Sequence, residues 1–287
     1  MSSRRNIEAN PLTELFAVYL AKIEDALKRE VDLYSRSEFH APLRYACEGG
    51  KRIRPLILVL SAECIKSNRA EPAAYLAASA IELLHTESII HDDIIDEENQ
   101  RRGKPSFHVK YGYNSSILTA DFVLGVILNI SSKLNDPRII NELSNAATKM
   151  TEGEMMEIKL GKGMDITEDD YIKVLEFKTA SLFEASAKIG AITGGGDEEQ
   201  IHTMTSFGHL LGIAYQVHDD LIDWNNENRL FNMLVRKNGE TKDFVDQMDK
   251  VYQSYASKAK NELRKISTES EAKRHLEHLT NLTSVQF

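Results

Sequence analysis

Apolar residues return every three or four positions along nearly the whole chain, the spacing that keeps one face of an α-helix apolar. The pattern predicts helices over residues 12–35, 42–47, 55–65 and 72–96, and then over 114–134, 138–161, 168–193, 198–225, 242–265 and 269–282. Gly49-Gly50 closes the second of these, because glycine takes the left-handed conformation at a helix end without steric cost. Pro55 opens the third, where its missing N–H is not needed. Residues 101–105 read as a loop. Period-two alternation between hairpin turns is absent, so the pattern gives an all-α fold class.

Composition changes this picture only slightly. A chain of 287 residues has length enough for two domains, but Gly (15) and Pro (6) are sparse and no Ser/Gly/Pro-rich linker interrupts the helices. One domain over 1–287 is therefore expected. The polar N-terminus lacks the apolar run of a signal peptide, and no stretch of about 18 or more apolar residues predicts a membrane span. Two cysteines, Cys47 and Cys64, are too few for a disulfide framework or a zinc site and fit a reducing, cytoplasmic setting. A net charge of −9 argues against nucleic-acid binding. It still permits an anionic small substrate, since metal ions and a few placed cations reverse the field locally.

The chemistry concentrates in two acidic segments. On a helix through residues 78–96, His85, Ser88, Asp92 and Asp96 fall along one stripe with Asp93 beside them. Carboxylates four residues apart stand one turn apart on one face, and their oxygens suit magnesium, which keeps waters and substrate phosphate oxygens as further ligands. Unneutralised, Asp92, Asp93, Asp96, Glu97 and Glu98 would repel one another. The plain alternative is a solvated acidic helix end, but Ile81, Leu83, Leu84, Ile89 and Ile90 make the preceding turns apolar enough to be buried. Arg101 and Arg102 follow at once, and arginine matches phosphate through paired hydrogen bonds.

The second segment repeats the first. Gln216, Asp219, Asp220 and Asp223 stand at i, i+3, i+4 and i+7, and the preceding Gly208 and Gly212, four apart, suit close packing of another backbone. Two such segments in apolar helices, facing each other across a bundle, form a clamp for one diphosphate through bridging magnesium. Lys51 and Arg54 lie at a helix start, where free N–H groups also favour anions. Lys178-Thr179, inside an apolar helix, is placed to reach inward, although a lone lysine there is more often a surface residue.

In this order, GGKRIRP (residues 49–55), HTESIIHDDIIDEENQRRGKPSFH (85–108), FKTASLF (177–183) and YQVHDDLID (215–223) resemble the trans-isoprenyl diphosphate synthases, the polyprenyl synthetases. The resemblance covers roughly residues 40–225 and leaves 226–287 as divergent C-terminal helices. It implies a single-domain helical bundle of the isoprenoid synthase type with a deep central cavity, usually as a homodimer. The implied reaction condenses isopentenyl diphosphate with an allylic diphosphate after magnesium-assisted ionisation, to an all-trans product of about C15–C25. Carried over by position, Lys51, Arg54, His85 and Arg102 correspond to the isopentenyl diphosphate site. Arg101, Lys178, Thr179 and Gln216 correspond to the allylic diphosphate site. Asp92, Asp96 and Asp219 correspond to the main magnesium ligands, with Asp93, Asp220 and Asp223 supporting them. In such enzymes the departing diphosphate is thought to take the proton, so no side-chain base is implied.

One segment departs from the resemblance. Such proteins usually continue after the second motif with a Gly/Lys-rich stretch ending Gly-Lys-x-Thr/Ser-Leu-Pro, which lends lysines to the allylic phosphates. Residues 224–242 contain no such pattern, and Arg229, Lys237 and Lys242 are the candidates to stand in. The departure leaves a non-catalytic subunit of a heteromeric synthase as the rival reading, although all six motif aspartates are present. A class I terpene cyclase is the other rival, but it has no second diphosphate to bind and so no use for GGKRIRP or His85. Product length is expected to depend on Ser88 and Glu87, four and five residues before the first motif. Neither is an aromatic that would stop growth early, and Glu87 is unusual against an apolar tail.

Overall fold

The computed structural model describes residues 11–163, 165–222, 230–238 and 242–281. Among these, thirteen α-helices account for nearly all regular structure. They are α1 (Pro11–Asp32), α2 (His40–Cys47), α3 (Ile53–Lys66), α4 (Pro72–Ile95), α5 (Phe107–Tyr111), α6 (Tyr113–Leu134) and α7 (Pro137–Leu160), followed by α8 (Glu168–Leu175), α9 (Ser181–Thr193), α10 (Glu198–Ile222), α11 (Leu230–Lys237), α12 (Lys242–Arg264) and α13 (Glu271–Leu279). Local chemistry sets several starts. Asp136 caps α7, its carboxylate accepting from the Arg138 N–H with Pro137 next in line. Thr167 and Asp170 cap each other reciprocally at α8.

The centre of the bundle is α3 with α4, α9 and α10. Ile57, Leu58, Val59 and Leu60 are all 0% exposed, so α3 is buried on every side. Each such side chain contributes roughly 1.5–3 kcal/mol, an upper figure because unfolded chains are themselves partly compact. Glycine lets the backbones approach. A Cβ at Gly190 of α9 would overlap the Leu58 carbonyl oxygen of α3. At Gly208 and Gly212 of α10 a Cβ would lie 2.6 Å from the Phe183 oxygen and the Ala180 Cα, the close packing that their spacing predicts. A second cluster of buried residues, including Tyr171, Val217, Phe231, Phe244 and Tyr252, joins α8, α10, α11 and α12. The N-terminal half of α10 joins the first cluster, and Ile213, Ala214 and Val217, which lead into its acidic C-terminal turns, join the second.

The predicted helices recur with four differences. Residues 168–193 are not one helix: a π-helical turn, Glu176–Ala180, separates α8 from α9. The chain at 100–105 forms a small antiparallel hairpin of strands β1 (Gln100–Arg101) and β2 (Lys104–Pro105). The third and fourth differences are α5 and α11, neither of which is evident from the periodicity. In addition, α6 is long and apolar enough to cross a membrane by length and composition. It packs along α4, however, with Val123 and Ile130 fully buried.

Candidate active site

The two acidic helices, α4 and α10, approach each other across a cavity of about 1470 Å³. Its wall includes Lys51, Arg54, His85, Asp92, Arg101, Arg102, Lys178, Thr179, Gln216 and Asp219, so ten of the predicted site residues converge there. Elsewhere the wall is largely apolar, with Leu84, Leu124, Met150, Met155 and Ile158. A smaller cavity of about 520 Å³ adjoins it, sharing Asp92, Arg101, Lys178, Thr179 and Gln216 and adding Asp96, Glu157 and Asp220. Asp223 and Arg229 lie outside the described residues.

The paired aspartates of each motif divide their work. Asp92 and Asp219 line the large cavity. Asp93, 1% exposed, turns behind α4, where its Oδ1 takes two contacts from Arg101, 2.8 Å from Nε and 2.6 Å from Nη2. Asp220, 5% exposed, accepts from the Tyr171 hydroxyl at 2.6 Å and from Gln216 Nε2 at 3.0 Å. Gln216 Oε1 in turn accepts from the Thr179 hydroxyl at 3.1 Å. Asp93, expected to support the magnesium ligands, borders neither of these cavities and holds Arg101 in place. Asp220 likewise orients Gln216, and through it Thr179, with both carboxylate oxygens engaged.

Lys178 and Thr179 both reach the cavity because the π-helical turn inserts an extra residue into the helical register. Gly153 of α7 makes room for that turn, since a Cβ there would lie 2.5 Å from the Lys178 nitrogen. Two glutamates on the same face of α7 are site residues that the sequence reading missed. The Lys178 ammonium lies 2.5 Å from Glu154 and 2.6 Å from Glu157, one lining the larger cavity and the other the smaller. A helical-face reading of Gly153, Glu154 and Glu157 at i, i+1 and i+4 contains the signal.

Burial pushes the Asp92 carboxyl up to about 7; Lys178 opposes the rise, and Glu154, Asp96 and Glu157 add to it. A buried carboxylate among three others, with one neighbouring ammonium, is short of positive charge. That donor set fits a hard divalent cation. Among the described residues no three His, Cys, Asp or Glu side chains converge into a ready-made cage. A cation here would take its remaining ligands from water and substrate oxygens, as magnesium does.

The cationic end of the cavity is built on the glycine turn. Gly49 (φ +79°) and Gly50 (φ +107°) take conformations that other residues rarely adopt. The Arg102 guanidinium lies against them and donates to the Gly49 carbonyl at 2.8 Å. Arg54 Nη1 stands 3.1 Å from His85 Nε2, and its guanidinium lies over the Phe183 ring. Burial, followed by the charges of Arg54, Arg102, Arg52 and Arg101, holds His85 well below the ordinary histidine range. The imidazole is therefore neutral.

Two further expectations are settled by position. Lys237 lies on α11 with its ammonium 2.9 Å from the Ile166 carbonyl and 2.6 Å from Asp165, and it lines neither cavity. It is spent on the segment before α8. Lys242, at the exposed start of α12, lines neither cavity either. What α11 brings to the smaller cavity is apolar, Leu230 and Phe231, with Phe231 packed near Tyr171. Ser88 and Glu87 both line the large cavity, and Glu87 pairs with His91 at 3.5 Å.

Comparison with known proteins agrees with this geometry. Residues 36–272 match the family model described as polyprenyl synthetase. A geranylgeranyl diphosphate synthase of Methanosarcina mazei is 35% identical over 207 residues, which are 70% of this chain and 63% of that protein. A geranylfarnesyl diphosphate synthase of the same organism is 36% identical over 203 residues, 70% of this chain and 68% of that one. The chain thus matches less than two thirds of the first relative's length. The fold is similar to the crystal structure of a geranylgeranyl pyrophosphate synthetase from Pyrococcus horikoshii, with a TM-score of 0.83 at 26% identity over 96% of this chain and 99% of that one.

Proposed function

Since this chain belongs to the polyprenyl synthetase family, we propose that it is a trans-prenyltransferase, which joins isopentenyl diphosphate to an allylic diphosphate. The observation that carries the reading is one cavity with an acidic clamp, Asp92 opposite Asp219, and a separate cationic end at Lys51, Arg54, His85 and Arg102. Two differently equipped subsites suit two diphosphates; a terpene cyclase would need one.

In this reading Lys178, Thr179, Gln216 and Arg101 hold the allylic diphosphate, with Asp93 and Asp220 keeping Arg101 and Gln216 in place. Asp92, Asp96 and Asp219, with Asp223 as a further candidate, would hold magnesium, which would supply charge that stabilises the departing diphosphate. Lys178 and Arg101 meet the same charge as it develops. The apolar wall of Leu84, Met150, Met155 and Ile158 keeps water from the allylic cation. Neutral His85, Arg54, Lys51 and Arg102 orient isopentenyl diphosphate so that its double bond attacks that cation. The allylic carbon–oxygen bond breaks, a carbon–carbon bond forms, and the resulting tertiary cation loses a proton from the adjacent isopentenyl carbon to the departing diphosphate, leaving a new double bond.

We further propose that the whole chain acts as one catalytic domain in the cytoplasm, and that two copies pair through α6. Ile117 and Leu128, at i and i+11 of that helix, are 55% and 52% exposed, and sedimentation equilibrium reads the resulting mass. The product is an all-trans chain of about C20–C25, because no aromatic blocks the cavity at Ser88 or Glu87. Chromatography of products made from isopentenyl and farnesyl diphosphates tests this. A sole C15 product from shorter primers would sink the length assignment.

A further inference from the structure

The GGKRIRP turn carries three cations, and the reaction proposed above uses two of them. We infer that the third, Arg52, is a positioning residue that staples the isopentenyl diphosphate subsite together from behind; this rests on the reading of Lys51, Arg54, His85 and Arg102 as that subsite.

Arg52 is 4% exposed and sits at the N-cap of α3 with a left-handed backbone, φ +52°. A side chain other than glycine is disfavoured in that conformation and persists only where its surroundings fix it. Here the guanidinium does the fixing. It donates to the Cys47 carbonyl in the last turn of α2, to the buried carboxylate of Glu82 on α4, and to Glu24 of α1 at 2.6 Å. Its Nε, Nη1 and Nη2 all donate within the protein. Although Arg52 borders the large cavity, its donors are engaged within the protein, so it acts through the backbone. One planar fork joins three helices to the residue between Lys51 and Ile53, an arrangement that a single ammonium cannot copy.

The staple is tied to the subsite through its neighbours in the chain. Glu82 stands three residues before His85, on the same face of α4. His85 meets Arg54, two residues after Arg52, at 3.1 Å. Arg102 rests on the adjoining glycines, where a Cβ at Gly50 would lie 2.8 Å from its guanidinium. Loosening Arg52 frees the turn that carries Lys51 and Arg54 and supports Arg102. It leaves Lys178, Thr179 and Gln216, on the other side of the cavity, where they were.

The test is Arg52→Lys in the full chain. If that variant fails to fold, Arg52→Gln with Glu82→Gln replaces it, so that no buried charge is stranded. The expected result is a KM for isopentenyl diphosphate raised on the order of 10–100-fold, with kcat and the allylic KM changed less than about threefold. Calorimetric binding of isopentenyl diphosphate alone should weaken by the same factor. A folded variant with unchanged isopentenyl affinity overturns the inference, and so does an equal rise in both KM values. Wild-type turnover is scored separately: a wild-type chain that binds isopentenyl diphosphate without condensing it refutes the proposed reaction, while the binding comparison still decides the role of Arg52.

Discussion

Arg101 reaches around the first acidic motif to place Nε 2.8 Å and Nη2 2.6 Å from Asp93 Oδ1, while the adjacent Asp92 faces the cavity on the other side of the helix. Neighbouring, chemically identical residues thus have different tasks. Asp93→Asn keeps the shape but removes the charge that holds Arg101. Activity should fall on the order of 10²-fold through misplacement of Arg101. Stability should change little: burial pushes the Asp93 carboxyl up despite Arg101, so Asn relieves a buried charge, while the Arg101 side chain is 38% exposed and water can take over its charge. Paired kinetic and calorimetric measurements check both.

Burial raises the Asp92 carboxyl as well, and here no arginine grips it. Its carboxyl lies near 7 in the folded chain against an ordinary 3.8, raised first by burial. The folded state therefore binds this proton more tightly than the unfolded state does. Between those two values, stability due to Asp92 falls as pH rises. Asp92→Asn removes the decline, so its melting temperature should exceed that of the wild type at about pH 8 and converge with it at about pH 4, by roughly 2–4 °C for each kcal/mol relieved. Added magnesium should raise the wild-type Tm more at about pH 8 than at about pH 6, because the ligand must be ionised to bind. It should move Asp92→Asn little.

The π-helical turn gives a steric prediction. In Gly153→Ala the new methyl meets the Lys178 nitrogen at 2.5 Å and its Cα at 2.9 Å, so the turn must shift. We expect a loss of about 1–3 kcal/mol together with a raised KM for the allylic substrate. Gly125→Ala in α6, where nothing in the same chain lies within 4 Å of the added Cβ, is the control, measured at a dilution that separates copies paired through α6. It should be neutral or gain up to about 1 kcal/mol in helix propensity. Thermal melts and steady-state kinetics on both variants separate the two cases.

These residues also mark how far the sequence could be read. Helical faces are local, so the stripe His85–Ser88–Asp92–Asp96 and the pair Gln216–Asp219 followed from spacing alone. The two clusters of cations were legible for the same reason, as side chains attached to helix starts and short turns. Which aspartate of each pair faces the cavity was not legible, because it is decided by Arg101 from the hairpin and Tyr171 from α8. Glu154 and Glu157 went unnoticed because their significance comes from Lys178 on another helix. The π-helical turn looks like uninterrupted helix in the apolar pattern. The short α11 is eight residues between polar stretches, and its buried face becomes visible only against Tyr171 and Phe244.

The central claim is that this chain alone joins two diphosphates in one cavity. Its most direct test is incubation of the purified chain with magnesium, isopentenyl diphosphate and an allylic diphosphate, followed by chromatography. The account predicts a longer all-trans polyprenyl diphosphate, lost in Asp92→Ala while the circular dichroism spectrum is retained. No product from the chain by itself, with product appearing once a second, different subunit is added, would contradict it.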